Sequence, residues 1–112
     1  MRIETRRVHD VLIIEMIGRL DSVSAGDAED RILNIVQDEE GRILLNLEKV
    51  AYVSSAGLRV ILRAAKLLQE NRGELKICNA RGGVRDVFEV FDLHSLIKVY
   101  DTEKEAFAAF LA

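Results

Sequence analysis

Several residue types are scarce or missing in this 112-residue chain, and each scarcity excludes a class of structure. Proline is absent, so no proline-rich linker divides the chain, and we expect one domain over residues 1–112. The single cysteine, Cys78, cannot form an internal disulfide or supply a zinc-binding pattern, and we expect it to be a small buried apolar residue. Tryptophan is absent too, and only four phenylalanines and two tyrosines occur, so the core must consist mainly of Leu, Ile, Val and Ala.

Signals for export, membrane insertion and nucleic acid binding are also missing. The amino-terminal segment MRIETRRVHD has no apolar stretch of the kind found in signal peptides. No apolar run approaches the roughly 20 residues that a membrane span needs. The 16 Lys and Arg are outnumbered by 19 Asp and Glu, which leaves none of the basic surplus of nucleic acid binders. We therefore expect a cytoplasmic protein that contacts neither membranes nor nucleic acid directly.

The chain begins with two extended segments. Runs of strand-forming residues cover 2–8 and 11–17, and His9 and Asp10 separate them, which predicts a hairpin. The second run, VLIIEMI, is apolar on both of its alternating faces. Because a strand with two apolar faces is buried on both sides, this run is predicted to be central in a sheet.

Helical and extended patterns alternate after the hairpin. Four helices are predicted: within 18–41, from about Ser55 to Asn71, in GGVRDVFEVF and in DTEKEAFAAFLA. Three further strands are predicted in RILLNL, ELKIC and LIKVY. Ser22 or Ser24 is expected to cap the first helix, and Thr102 with Glu105 forms a capping box for the last. Strand–helix–strand units favour parallel pairing, so the sequence predicts an α/β fold with a mixed sheet of about five strands.

One stripe of the third predicted helix allows two interpretations. Val84, Val87, Phe88 and Phe91 recur at helical spacing. The phenylalanines could form a docking patch, but this spacing is more typical of a face that packs into the core. We therefore predict core packing for this stripe.

The segment KVAYVSSAGLRVILRAAKLL contains the most informative pattern in the chain. On a helical wheel of 100° per residue, the cations Arg59, Arg63 and Lys66 fall within about 80° of Ser55. The apolar residues Leu58, Ile61, Ala65 and Leu68 lie on the other side. This pattern predicts a helix that buries a Leu/Ile/Ala face and exposes a stripe of one hydroxyl and three cations.

The two serines at the start of this helix have two interpretations. Ser54 or Ser55 can cap the helix by accepting a hydrogen bond from a free backbone N–H, which stabilises it by about 1 kcal/mol. Alternatively, one hydroxyl is a modification site. A phosphate here would carry a charge of about −1.5 to −2, and it would meet free N–H groups, the positive end of the helix dipole and Arg59 one turn on.

The sequence resembles the STAS domain, the family of bacterial anti-sigma factor antagonists, over nearly its whole length. Three segments carry the resemblance: VLIIEMIGRLDSVSAGDAEDRI, RILLNLEKVAYVSSAGLRVILRAAKLL and LIKVYDTEKEAFAAFL. It implies a mixed sheet with helices largely on one side. It also implies a serine at the start of the second helix that the cognate anti-sigma factor, an ATP-dependent kinase, phosphorylates. The unphosphorylated antagonist binds that kinase and thereby frees the sigma factor. A metal-dependent serine phosphatase regenerates the unphosphorylated antagonist.

The resemblance also assigns residues. Aligned on Gly57 and Leu58, the phosphorylated serine falls on Ser55, and Asp21 matches the acidic residue in the loop that faces it. The expected partner-binding surface comprises Asp21, Ser54, Ser55, Ala56, Gly57 and Arg59.

This chain departs from the most familiar antagonists, which have an aspartate before the serine, Ser or Thr after it, and a small residue after the leucine. Ser54, Ala56 and Arg59 occupy those positions here. SSAGLR also resembles family variants in transporter-linked and stress-signalling modules. An interaction domain that works without phosphorylation is therefore the alternative.

Enzymatic chemistry finds little support in the sequence. A serine hydrolase needs a base near its nucleophile, but only His9 and His94 are available and no Gly-x-Ser-x-Gly motif occurs. The segment ARGGVRD lacks the spacing of phosphate-binding loops, so we expect it to be a strand-to-helix turn. A small nucleotide-binding protein remains a third hypothesis. We predict no enzyme, no cofactor and no metal site.

Overall fold

The computed structural model describes residues 1–39 and 41–111. Strands and helices follow one another as β1 (Arg2–Val8), β2 (Val11–Leu20), α1 (Ala25–Gln37), β3 (Arg42–Asn46), β4 (Val50–Val53), α2 (Ser55–Glu70), β5 (Glu74–Cys78), α3 (Gly82–Val90), a 3-10 turn (Leu93–Ser95), β6 (Lys98–Tyr100) and α4 (Glu103–Leu111). Glu40 in the first predicted helical segment and Ala112 in the last lie outside the described residues. The structure confirms an α/β fold with a mixed sheet.

Within the described ranges the sheet has six strands in the order β1-β2-β3-β5-β6, with β4 paired to the end of β2. The β1–β2 pair is antiparallel, and the other pairings are parallel. The prediction of about five strands missed β4. This strand has four residues, of which the two central ones are exposed, so it shows no period-two alternation. Its register with β2 also shifts between Gly18 and Arg19.

The opening hairpin forms as predicted. Val8 pairs with Val11, and His9 adopts a positive φ of 53° in the two-residue turn. Strand β2 is buried on both faces, with Leu12 and Ile14 on one side and Val11 and Ile13 on the other. Its central position in the sheet is therefore confirmed.

The two faces of the sheet carry different helices. Among the described elements, α1, α2 and α3 contribute to one large core, which includes Ile14, Ile43, Leu68 and Phe88. Helix α4 covers part of the opposite face with Ala106 and Phe110, and Cys78 is fully buried there. Burial raises the pKa of the Cys78 thiol to about 12, so this residue is an unreactive part of the core. The expectations of a buried cysteine and of helices largely on one side are confirmed.

The stripe on α3 is only partly buried. Val84 and Phe88 lie in the core, and Val87 is partly exposed. Phe91 is 53% exposed, so core packing was the wrong prediction for this residue. The helix ends at Val90 and the chain turns through a left-handed Asp92, so the helical spacing no longer directs Phe91 inward.

A chain of hydrogen-bonded polar side chains, which we term the α4 network, joins the first turn of α4 to the ends of two strands. Glu103 accepts from Arg6 at 2.6 and 2.7 Å and from the Asn46 amide at 2.7 Å. Asn46 accepts from Asn79 at 3.1 Å, and Asn79 accepts from Arg81 at 2.9 Å. Asn46 and Asn79 are both buried, so each of these polar groups has exchanged water for a protein partner.

Helix ends and helix lengths complete the fold. Thr102 accepts a hydrogen bond from the Glu105 N–H at 3.1 Å, which confirms it as the cap of α4. Among the described residues, no helix is both long and apolar enough to cross a bilayer.

Candidate functional site at the start of α2

The carboxyl ends of β2 and β4 bring two loops together at one edge of the sheet. The loop after β2 begins at Asp21, and α2 begins directly after β4 and Ser54. The Ser54 N–H donates to the carbonyl of Leu20 at 2.9 Å, so the entry of α2 is bonded to the end of β2. Binding sites in open α/β sheets commonly lie at this edge.

Gly57 allows the two segments to approach closely. A Cβ atom at this position would overlap the Leu20 carbonyl oxygen and would lie 2.7 Å from Leu20 Cγ. Any larger residue would therefore push the first turn of α2 away from β2. The Leu20 carbonyl thus accepts a hydrogen bond from the Ser54 N–H and packs against Gly57. We term these two contacts the Leu20 clamp.

The two serines have different roles at this entry. Ser54 is the N-cap, and its hydroxyl accepts from the Gly57 N–H at 3.2 Å. Ser55 is the first residue of α2 and is exposed. Within residues 1–39 and 41–111, its hydroxyl has no hydrogen-bond partner. The capping role predicted for one of the serines therefore belongs to Ser54, and in the described part of the chain the exposed Ser55 hydroxyl has no structural task.

The surface of α2 follows the predicted wheel. Arg59, Arg63 and Lys66 are exposed, whereas Leu58 and Ile61 are buried. The guanidinium of Arg63 pairs with Glu29 of α1. In the described part of the chain, no carboxylate lies within 4 Å of Arg59 or Lys66. The stripe beside Ser55 therefore keeps two cations available for an external partner.

Asp21 organises the loop that faces this entry. Its Oδ1 accepts from the N–H groups of Val23 and Ser24, at 3.0 and 3.2 Å. Its Oδ2 lies 3.5 Å from Arg19 Nε. The hydrogen bond from the Ser24 N–H, followed by those from Val23 and Arg19, holds the pKa of Asp21 below its usual value. Asp21 is therefore an ionised carboxylate whose two oxygens both have partners in the loop.

Ser24 also serves this loop. It occupies the N-cap position of α1, but its backbone is helical and its hydroxyl makes no cap hydrogen bond. Instead the hydroxyl donates to the Arg19 carbonyl at 2.6 Å and accepts from the Asp21 N–H at 3.1 Å. Of the two serines predicted to cap α1, Ser24 therefore holds the cap position, but its hydroxyl closes the turn after β2 and does not cap a helix N–H.

One pair of side chains that borders the same edge was not predicted from the sequence. Arg19 and Tyr52 are register partners across β2 and β4, and the guanidinium lies 4.6 Å from the centre of the Tyr52 ring. Tyr52 is 41% exposed, and Val23 in the neighbouring loop is 91% exposed. Because β4 itself was not predicted, no sequence signal could have placed Arg19 beside Tyr52.

The other residues considered for chemistry lie elsewhere. His9 is in the hairpin turn at the amino end of β2, away from Ser55, and its ring centre is 6.0 Å from that of Phe107. His94 is in the 3-10 turn after α3. Within the described ranges, no three His, Cys, Asp or Glu residues are grouped as metal ligands would be. ARGGVRD leads from β5 into α3, as predicted, and from Gly82 onward it forms the start of that helix.

Comparison with known proteins gives one consistent family. A family profile described as STAS domain matches residues 2–106. A Bordetella bronchiseptica protein named "Putative anti-sigma factor antagonist BtrV" is 36% identical over 110 residues, which cover 98% of this chain and 95% of that protein. An anti-sigma-B factor antagonist of Staphylococcus aureus is 30% identical over 106 residues, covering 94% and 98%. These are names of regulatory proteins rather than of enzymes.

A solved structure shows the same fold. The crystal structure of an anti-sigma factor antagonist from Mycobacterium paratuberculosis superposes with a TM-score of 0.88 at 22% identity, covering 99% of this chain and 94% of that chain. Together with the family match, this confirms the resemblance seen in the sequence and the fold that it implies.

Proposed function

Because the chain belongs to the STAS domain family, we propose that it is a bacterial anti-sigma factor antagonist switched by phosphorylation of Ser55. In its unphosphorylated form it sequesters an anti-sigma factor that is a serine kinase, and the sigma factor is released. The kinase phosphorylates Ser55 and thereby ends the complex, and a serine phosphatase restores binding. Residues 1–112 act as one domain in the cytoplasm, where sigma factors direct transcription.

The observation that carries this proposal is the division of roles between the two serines. Ser54 accepts the capping hydrogen bond, so Ser55 is not needed to hold α2. The Ser55 hydroxyl is exposed at the first position of the helix, where a kinase can reach it. A modification there would leave the cap and the core intact.

The local electrostatics suit a phosphate at this position. The first N–H groups of a helix have no partner within it, and among the described residues the hydroxyl of the capping serine accepts from Gly57 alone. The N–H groups of Ser55 and Ala56 therefore remain to meet an anion at the positive end of the helix dipole. Arg59, one turn on, adds a cation that has no carboxylate within 4 Å in the described residues.

The proposed partner-binding surface is built around this serine. It comprises Asp21, Ser54, Ser55, Ala56, Gly57 and Arg59. Ser55 and Arg59 are exposed, Asp21, Ser54 and Ala56 are partly exposed, and Gly57 is buried. Gly57 therefore acts by letting the helix start lie close to the Asp21 loop. A phosphate of about −1.5 to −2 charge at the centre of this surface would oppose docking of the partner.

The test is phosphorylation by candidate kinases. The full chain is incubated with ATP and each purified kinase-type anti-sigma factor encoded in the same genome, and the intact protein is weighed by mass spectrometry. One added phosphate is expected, and Ser55→Ala should abolish it. Ser54→Ala is the matched control, because it removes the neighbouring hydroxyl and leaves the acceptor. Phosphate that persists in Ser55→Ala and disappears in Ser54→Ala would overturn the assignment.

A further inference from the structure

We propose that Arg19, stacked on Tyr52 and held by Asp21, is the specificity-determining contact of this surface and binds a carboxylate of the anti-sigma factor. The exposed side chain of Val23 supplies an apolar anchor beside it. This inference rests on the proposed function, since the same partner occupies the surface around Ser55. It gives Asp21 the role of a positioning residue rather than a direct contact.

The geometry of Arg19 is the first support. Its guanidinium is held between the Tyr52 ring, 4.6 Å away, and the Asp21 carboxylate, whose Oδ2 is 3.5 Å from Nε. The Arg19 side chain nevertheless remains 63% exposed. A cation fixed on two sides and open on the others loses little side-chain freedom on binding, which favours it as an interface contact. Arginine and tyrosine are also the residue types that most often dominate binding energies.

The Asp21 loop brings the backbone of Val23 to the same carboxylate that contacts Arg19. The Val23 N–H donates to Asp21 Oδ1 at 3.0 Å, so the same carboxylate fixes Arg19 and the backbone of Val23. Val23 is the most exposed of the large apolar side chains described in the structure. A rigid turn that holds an apolar side chain in solvent has no folding benefit, but it suits insertion into an apolar hollow of a partner.

Charge identifies the chemistry of the partner. Arg19 adds its charge to that of Arg59, one turn into α2, and within the described residues Arg59 has no carboxylate within 4 Å. Asp21 offsets part of the charge of Arg19, so the surplus positive charge here comes from Arg59, in a chain whose net charge is −3. The complementary occupant is an anti-sigma factor surface that presents carboxylates around an apolar hollow.

Asp21 acts through Arg19 and the loop. Its Oδ1 accepts from the backbone of the loop, and its Oδ2 lies 3.5 Å from Arg19 Nε, so both oxygens are directed at groups of this chain. Replacing Asp21 by Asn would keep an oxygen that accepts from Val23 and Ser24 but would remove the charge that holds Arg19. The effect of that change on binding should therefore depend on whether Arg19 is present.

The direct test measures affinity for the purified kinase-type anti-sigma factor that phosphorylates the wild-type chain. Arg19→Ala and Tyr52→Ala are expected to weaken binding at least about tenfold, and Val23→Ala about threefold to tenfold. Arg7→Ala is the control for the cation, because Arg7 also pairs with a carboxylate but lies towards the amino end of β2. Val90→Ala is the control for the apolar anchor, because Val90 is 79% exposed at the end of α3. Tyr52→Phe, which keeps the ring, should bind as the wild type does.

A double-mutant cycle tests the role of Asp21. Asp21→Asn should weaken binding about threefold in the wild type and less than about 1.5-fold in the Arg19→Ala background. An equal loss in both backgrounds would make Asp21 a direct contact and would overturn its positioning role. Thermal unfolding of each variant separates these effects from loss of fold.

The outcomes distinguish this inference from the proposed function. The inference alone is overturned if the anti-sigma factor binds and phosphorylates the wild-type chain but binds Arg19→Ala and Tyr52→Ala within about twofold of the wild-type affinity. A chain that no such kinase binds or phosphorylates overturns the proposed function and the inference with it. Sedimentation of the isolated chain checks a second copy as the occupant: a dimer that Tyr52→Ala abolishes would assign the surface to self-association and reject the anti-sigma factor.

Discussion

Two groups of polar side chains lie at the same edge of the sheet, and they differ in what they leave unsatisfied. In the α4 network, Glu103, Asn46 and Asn79 bond to one another and to flanking arginines. At the start of α2, by contrast, the Ser54 hydroxyl is bonded, and the Ser55 hydroxyl has no partner among the described residues. The side chains of the first group satisfy one another and stabilise the fold. In the described part of the second group, one hydroxyl and two cations remain available to bind a partner.

This difference shows that polar residue type alone does not indicate function. Asn46 and Asn79 at strand ends and Ser54 and Ser55 before a helix are all polar residues of types that occur in functional sites. Burial of Asn46 and Asn79 assigns the first pair to structure, and exposure of Ser55 assigns the second to the surface. The predictions below test each half of this contrast.

The largest effect is expected from opening the α4 network. Asn79→Ala would remove the amide between Asn46 and Arg81 and place alanine at a φ of 62°. Lost buried hydrogen bonds and left-handed strain together should lower the free energy of unfolding by about 2–4 kcal/mol, measured in urea. Asn79→Gly is the matched control, since it loses the amide without the strain and should be milder. A change below about 0.5 kcal/mol for Asn79→Ala would mean that the network contributes little.

The next effect concerns the open group and is read in binding rather than folding. Ser55→Glu should weaken association with the cognate anti-sigma factor by about 1–3 kcal/mol, because it places a charge in the contact surface. A carboxylate imitates a phosphate poorly, so the authentic phosphoprotein should bind more weakly still. Calorimetric titration of all three forms checks this, and equal dissociation constants would reject the switch.

A smaller effect separates the two serines. Ser54→Ala removes the hydroxyl that accepts from Gly57 and should cost about 1 kcal/mol of stability. Ser55→Ala removes an exposed hydroxyl and should stay within about 0.5 kcal/mol. Urea unfolding of the two variants side by side gives the comparison. The reverse order would show that Ser55 is the cap.

The smallest effect is a pH dependence at Asp21. Its pKa in the folded state lies below the ordinary value of 3.8, so its ionised form stabilises the fold above that pH, and this stabilisation is lost as pH falls through the folded pKa. Asp21→Asn keeps the turn and does not titrate. The stability difference between wild type and Asp21→Asn should therefore shrink between pH about 6 and about 3. A constant difference across that range would mean that the Asp21 charge has no partner.

The sequence predicted those features that depend on neighbours along the chain. The hairpin, the buried face of α2 and the exposure of Ser55 all follow from local spacing, whereas spacing left Ser54 and Ser55 both open as the cap. Strand β4 could not be predicted, because it has four residues without alternation and pairs with β2 only beyond an irregularity at Gly18.

Contacts between distant residues were likewise out of reach. Arg19 and Tyr52 meet only because β4 takes its register from β2. Glu103 reaches Asn46 across 57 positions of sequence, and no periodicity in either segment signals that bond. Spacing along one element indicates which face it buries, whereas it does not indicate which side chain of another element will meet it.

The Leu20 clamp has a consequence for how a signal would be stored in this molecule. Gly57 rests against the Leu20 carbonyl, and the Ser54 N–H is bonded to the same oxygen. The first turn of α2 therefore has no room to move towards β2 and is tethered against moving away. A group attached to Ser55 would alter the charge of a rigid template and leave its backbone where it was. Information would then reside in the chemistry of the surface, and a partner would have to read it by contact, since no distant part of the chain would change shape to report it.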